Sequence, residues 1–331
     1  MQKKITNLSV VVPVYCSQNI LSHLVERLAG VLPNLVEDYE LILVNDASPD
    51  QTWDVVVAMC KKHNWIKGIH LSRNFGQHNT LLCGIRHARF DLIATMDDDL
   101  QNPPEELEKL LRAMEEGCDV VYGYPQDYQQ SLWRRFSSAL VRCAMVPALG
   151  AKNAMSVSPF RVFRARLCRA FQDFAAPNVS LDVLLSWGTT RFAAIPVAHA
   201  RRLSGQSTYS LTKLLDLAMS MLIGFSVLPL RLAGLMGFLF AIFGLLVLGF
   251  VLVRFLFFGS VVPGFTFLAS IVAIFSGVQL LILGIIGEYM ARTHFNSTRK
   301  PPYVIMKTVG FDDSCDNQGA HQSQVMQGVP E

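Results

Sequence analysis

Positions 232–253 hold no charged residue, and neither do positions 255–287. Charged residues make up 17% of the 331-residue chain, against about 25% in soluble domains. The deficit is local, because residues 1–210 have an ordinary globular composition. The chain is therefore not wholly soluble, not polytopic throughout, and not disordered. Its length admits one substantial α/β domain and a small membrane unit.

Other absences narrow the reading. The seven cysteines include no C-x-x-C pair and several sit in apolar runs, which reads as reduced core thiols in a cytosolic compartment. The eight histidines show no H-E-x-x-H spacing. A net charge of +3 is too small for a nucleic-acid binder. The apolar run after Lys3 and Lys4 is short and ends at Pro13, so it reads as a first strand and not a signal peptide. No internal repeat is evident.

What is present is an alternation. Strand signals fall at residues 8–14, 40–45, 66–72, 92–96 and 119–123, and helical spacing falls at 21–32, 52–60 and 80–88. Pro103-Pro104 opens a further helix with Glu105 and Glu106 in its first turn. This order predicts an α/β fold, a mostly parallel sheet with helices on both faces. Ligands of such sheets bind beyond the carboxyl ends of the strands, where Asp46 and Asp97-Asp98-Asp99 lie. Residues 124–178 read as less regular and rich in cations, among them Arg134 and Arg135. Residues 192–197 read as another strand, followed by a polar loop from Arg201 to Ser207.

A bilayer core takes about 20 apolar residues. Residues 232–253 and 267–286 each supply such a span, joined by a short uncharged connector. Arg231, Arg292, Arg299 and Lys300 flank the pair, which places both ends in the cytoplasm by the positive-inside rule. The expected organisation is a cytoplasmic domain at 1–210, an interfacial amphipathic helix at 211–230, two spans within 231–290, and a cytoplasmic tail at 291–331, disordered after about 311.

The acid run is the sharpest chemical signal. Three carboxylates at the end of an apolar strand repel one another unless a cation sits there. Mg²⁺ characteristically takes one or two carboxylates together with substrate phosphates. Strand geometry turns Asp97 and Asp99 to one side and Asp98 to the other. Asp46 ends the second strand, where an acid can accept hydrogen bonds from a base or ribose. Arg73 follows the third strand, in reach of a diphosphate.

The ordered set Val12-Pro13-Val14-Tyr15, Asn45-Asp46-Ala47-Ser48, Arg73-Asn74-Phe75-Gly76-Gln77-His78, Asp97-Asp98-Asp99-Leu100-Gln101-Asn102-Pro103-Pro104-Glu105 and Arg202-Leu203-Ser204-Gly205-Gln206-Ser207-Thr208-Tyr209-Ser210 resembles the polyprenyl-phosphate glycosyltransferases of family 2. The resemblance spans about residues 8–305. It implies a GT-A catalytic domain, Rossmann-like, followed by the interfacial helix and a two-helix transmembrane hairpin. It implies that Pro13, Tyr15, Asp46, Arg73, Asp97 and Asp98 hold a nucleotide-sugar, UDP-linked by expectation. Asp97, Asp99 and Gln101 match metal ligands for Mg²⁺ or Mn²⁺. Arg134, Arg135, Arg202 and Ser207 are assigned to the acceptor phosphate, and Asp99 and Arg202 to catalysis. The implied reaction is inverting transfer of a sugar to undecaprenyl or another polyprenyl phosphate. It takes place at the cytoplasmic face of a bacterial inner membrane, and its product serves cell-envelope glycan or lipopolysaccharide modification. The family also implies a homo-oligomer, a tetramer.

The sequence departs from that pattern at Cys16-Ser17, Pro125, Gln206, Thr208 and residues 155–157. Two other readings stand beside it. A non-catalytic membrane scaffold with a decayed site draws on these departures. A processive polysaccharide synthase would need a Gln-x-x-Arg-Trp motif, and Trp133-Arg134 has the order reversed.

Overall fold

The computed structural model describes residues 5–125, 157–174, 180–200, 228–258, 264–297 and 300–311. They fall into two compact units, a sheet with its covering helices and a pair of long apolar helices; residues 301–311 belong with the sheet.

The first unit alternates strand and helix as the pattern predicts. β1 (Ile5–Val14), α1 (Leu21–Leu35), β2 (Val36–Asn45), α2 (Thr52–Lys62), β3 (Ile66–Leu71), α3 (Gln77–Arg86) and β4 (Leu92–Thr95) follow in order. A 3₁₀ turn at Pro104–Glu106 leads into α4 (Leu107–Glu115), then β5 (Val120–Pro125). Beyond it come β6 (Arg161–Arg164), a 3₁₀ segment at Ala165–Phe171, α5 (Leu181–Gly188) and β7 (Phe192–Val197). The eight strands lie in the order β7-β5-β6-β4-β1-β2-β3-β8, where β8 is Ile305–Val309.

β1 pairs in parallel with β2 and β4, and β2 with β3. β5 and β7 are parallel, while β6 runs antiparallel between β4 and β5. The mostly parallel sheet is as expected, but two strands differ from the sequence reading. β6 lies inside the stretch read as irregular, and β8 lies in the stretch read as a tail. β8 pairs antiparallel with the outer edge of β3, and Ser72 donates its N–H to Val304 O at 2.9 Å. Residues 312–331, read as disordered, lie outside the described residues.

Alternation along β1 builds two cores. Val10 and Val12 face Leu24, Leu28, Val56 and Leu110 of α1, α2 and α4, whereas Val11 faces Leu81, Leu82 and Ile85 of α3. Each such side chain contributes about 1.5–3 kcal/mol by leaving water. α3 lies hard against the central strands because Gly84 has no Cβ. An added methyl would press on Val11 and come within 2.9 Å of Val44 Cγ2. The opposite end of α3 reaches the sheet's carboxyl edge, so this packing sets where its first turn stands.

In the second unit α6 (Leu228–Phe258) and α7 (Gly264–Ser297) are 31 and 34 residues long. Windows at Leu230–Val247 and Ile274–Ala291 are long and apolar enough to cross a bilayer. Phe240 and Phe275 meet edge to face at 6.1 Å, next to Gly244. Leu245, Leu246, Leu256 and Phe257 are each at least two-thirds exposed, a surface suited to lipid. Of the interfacial helix expected at 211–230, residues 211–227 lie outside the described residues and 228–230 open α6.

Candidate active site

A cleft of about 240 Å³ opens where the parallel strands end. Pro13, Val14 and Tyr15 line it from β1, Asp46 from β2, and Asp97, Asp98 and Asp99 from β4. Asn74 and Gly76 close it from the β3–α3 connection, and Gln77 and Thr80 from the first turn of α3.

The backbone is strained around this cleft. Three non-glycine residues among those described have positive φ: Cys16 at 56°, Ala47 at 52° and Leu100 at 57°. Each sits in the loop that follows one of β1, β2 and β4. Left-handed conformations cost non-glycine residues free energy and persist where the surroundings over-determine them. Here hydrogen bonds supply that constraint. Cys16 donates its N–H to Ser48 Oγ at 3.1 Å, and Ser48 is held in turn by Asn45 Oδ1, which accepts its N–H at 3.2 Å and its hydroxyl at 2.5 Å.

The aspartates are held from three segments of the rim. Asp46 accepts the N–H of Phe75 at 2.7 Å and of Gly76 at 2.9 Å, so it braces the β3–α3 loop as well as lining the cleft. Asp97 Oδ1 accepts from Gln77 Nε2 at 2.6 Å. Asp98 accepts from the Ser17 hydroxyl, and Ser17 is anchored by its N–H to Thr52 Oγ1 at 2.9 Å. Asp99 Oδ1 accepts the Gln101 N–H at 3.1 Å. Burial raises the Asp98 carboxyl above its ordinary range; the Ser17 bond opposes this, and the neighbouring Asp99 charge adds to it.

Six of the expected residues thus come together: Pro13, Tyr15, Asp46, Asp97, Asp98 and Asp99. Arg73 does not line the cleft; it is exposed, with its guanidinium 4.6 Å above the Phe75 ring. Gln101 does not line it either. Its carbonyl accepts the Ala200 N–H at 2.8 Å, which ties the residues after β7 to the acid loop. Arg134, Arg135, Arg202 and Ser207 lie outside the described residues. Sequence reasoning missed Gln77, Asn74, Thr80 and Ser17. Between Ser72 and Gln77 the wall is formed by the neutral Asn74, Gly76 and Gln77 and not by the cation Arg73.

Among the described residues no three His, Cys, Asp or Glu side chains gather into a metal cage. The donor set that does exist, carboxylate oxygens at one rim of an open cleft, fits a hard divalent ion completed by substrate phosphates.

Comparison with known proteins gives a family. The family model described as glycosyl transferase family 2 matches residues 9–171. An undecaprenyl-phosphate 4-deoxy-4-formamido-L-arabinose transferase of Photorhabdus laumondii subsp. laumondii is 33% identical over 319 residues, covering 96% of this chain and 98% of its own. One of Proteus mirabilis is 34% identical with the same coverage. Among solved structures, glucosyl-3-phosphoglycerate synthase from Mycobacterium tuberculosis, in complex with Mn²⁺, UDP and glucosyl-3-phosphoglycerate, gives a TM-score of 0.49 at 16% identity, covering 66% of this chain and 78% of that chain.

Proposed function

The chain belongs to the family 2 glycosyltransferases, among the undecaprenyl-phosphate sugar transferases, and we propose that its cleft binds a nucleotide-sugar, UDP-linked, and passes the sugar to polyprenyl phosphate with inversion. The observation that carries this reading is the delivery of three carboxylates to one rim of a cleft at the strands' carboxyl ends, with Asp97 held from α3, Asp98 from the loop after β1 and Asp99 within its own loop. Pro13, Tyr15 and Asp46 form the wall assigned to the nucleotide.

Asp97 and Asp99 would hold Mg²⁺ or Mn²⁺. That ion supplies charge stabilisation to the departing diphosphate. The rest falls to the chain's own groups. An acceptor phosphate monoester has a second pKa of about 6, so it arrives anionic and needs no general base. It needs cations that hold it in line with the sugar's C1. Arg202 is the residue we assign to that task, with Ser207, Arg134 and Arg135. Ala200, two residues before Arg202 in the chain, donates its N–H to the Gln101 carbonyl in the acid loop, which supports that assignment.

The acceptor also accounts for the two apolar helices, since a lipid-borne phosphate stays in the membrane plane. A sheet cannot be shared across a bilayer, and β8 follows α6 and α7 in the chain yet pairs with β3. The number of crossings between β7 and β8 is therefore even, which supports a hairpin with both ends on one side, and the flanking Arg231, Arg292, Arg299 and Lys300 assign that side to the cytoplasm. Val262→Cys and native Cys315, each alone in a cysteine-free background, test this in spheroplasts. An impermeant thiol reagent should label the first and spare the second; the reverse pattern refutes the orientation.

The activity itself is tested by incubating the membrane-embedded enzyme with labelled sugar nucleotides and undecaprenyl phosphate, then extracting lipid. Label should enter the lipid phase with one donor, stop with EDTA and return with Mn²⁺ or Mg²⁺. Full transfer by metal-free enzyme removes the metal from the reading.

A further inference from the structure

β6 carries a feature that the proposed chemistry leaves unused. Arg161, its first residue, is only 1% exposed. It stands in register with Thr95 of β4 on one side and Tyr122 of β5 on the other. The three side chains form one row across the sheet. Arg161 Nε donates to Thr95 Oγ1 at 3.0 Å, and the Thr95 hydroxyl donates in turn to Pro159 O at 2.8 Å. Above the row stands Asp182, from the first turn of α5. It accepts from Arg161 Nη1 and, at 2.9 Å, from the Tyr122 hydroxyl.

This buried pair lies near the start of the acid run. Thr95, the residue that Arg161 holds, ends β4 two residues before Asp97 in the loop that follows. Burial works against the Arg161 charge, while Asp182 first and then Tyr122 and Asp97 sustain it. A buried ion pair is a poor source of stability, because desolvation consumes most of its attraction. Its presence under β4 calls for another explanation.

We infer that Arg161 and Asp182 form a charge-neutral brace that fixes the end of β4 and leaves the Asp97 carboxylate electrostatically available to the cation and diphosphate. Arg161 is a positioning residue in this scheme. Its fork holds Thr95, and Asp182 cancels the charge that would otherwise compete for Asp97. Alone, the guanidinium would draw Asp97 inward and lower the site's affinity for cations. The inference rests on the proposed role of Asp97 in holding a divalent ion.

The test is Mn²⁺ affinity of the full-length protein in detergent, followed by paramagnetic resonance of the free ion without any substrate. Asp182→Asn keeps the shape of the side chain and removes its charge. It should raise the Mn²⁺ dissociation constant about tenfold, within the range of couplings measured between interacting groups. Asp182→Glu should restore most of the affinity. Asp97→Asn should weaken Mn²⁺ on its own, and adding Asp182→Asn to it should change little more, because the group through which Asp182 acts is already gone. Thr95→Val cuts the bond to Arg161 at nearly constant volume and should weaken Mn²⁺ by a smaller factor; it carries the test if Asp182→Asn does not fold. A lowered melting temperature with unchanged Mn²⁺ affinity in Asp182→Asn and Thr95→Val would make the pair purely structural and overturn the inference. Unchanged affinity in Asp97→Asn would instead strike at the metal reading itself.

Discussion

The two edges of the sheet treat aspartate in opposite ways. At the carboxyl edge, Asp97, Asp98 and Asp99 take hydrogen bonds from an amide, a hydroxyl and a backbone N–H. At the amino edge, Asp119 stands just before β5 and meets Arg166 at 2.6 Å, Arg191 at 3.1 Å and Arg164 at 3.5 Å, with the Thr189 hydroxyl at 2.7 Å. Burial alone would raise the Asp119 carboxyl; Thr189, Arg166 and Arg191 outweigh it and bring the value to about 2. A neutral donor orients a carboxylate and leaves its charge in place. An arginine orients it and cancels that charge. The first arrangement suits an acid kept for a cationic ligand, the second an acid kept for the fold.

The largest effect that would test this contrast is at Asp99. Asp99→Asn should lower sugar transfer about 10³-fold, the scale of losing one electrostatic contact to a transition state. Its melting temperature should hold or rise, because a like charge leaves the rim. Near-normal transfer by that variant breaks the comparison.

Arg202 is the cation assigned to the acceptor. Arg202→Ala should cost about 10- to 1000-fold in turnover, from bonds of about 1.5–3 kcal/mol each. Arg202→Lys should recover only part, since an ammonium cannot reproduce a guanidinium's two parallel donors. Wild-type turnover in the alanine variant removes Arg202 from the mechanism.

Asp119 should show the reverse signature. Asp119→Asn should destabilise the fold by about 2–3 kcal/mol while transfer per folded molecule stays unchanged. The folded carboxyl titrates near 2 and an unfolded one near 3.9, so its contribution is complete above about pH 4 and disappears as pH falls toward 2. Melting curves of wild type and Asp119→Asn should therefore converge over that window. Parallel curves would mean that Asp119 does not hold the amino edge.

The smallest effect is at Gln77. Removing its amide in Gln77→Ala frees Asp97 on one side, and transfer should fall about tenfold, the equivalent of one hydrogen bond to a charged group. Gln77→Glu should cost more, because it adds a fourth acid to the rim. If both variants match wild type, Asp97 is oriented by other contacts.

Much of this was legible in the sequence, for reasons that differ by element. β1 to β4 are apolar runs bounded by turn residues, and consecutive acids at the end of such a run have few other uses. β6 was hidden because its four residues, Arg161-Val162-Phe163-Arg164, begin and end in arginine, and Arg161 is buried by an ion pair that no local pattern announces. β8 was hidden because its partner, β3, lies more than 230 residues earlier and only tertiary pairing defines the strand. Gln77 and Ser17 were missed because a neutral amide and a hydroxyl leave no charge signature. Their roles come from loop geometry, which places Gln77 after a glycine with φ of 87° and Ser17 after a left-handed cysteine.

β8 also fixes an order of events during synthesis. It is the last strand of the sheet to leave the ribosome, after every residue of α6 and α7. Until then β3 presents an open edge of unpaired N–H and C=O groups, the kind of edge that recruits foreign strands. Arg86 awaits the Tyr303 ring and His87 awaits Phe311 through the same interval. A chain that stalls within α6 or α7 therefore carries an unfinished sheet, and the β3 edge closes only after both apolar helices have been made.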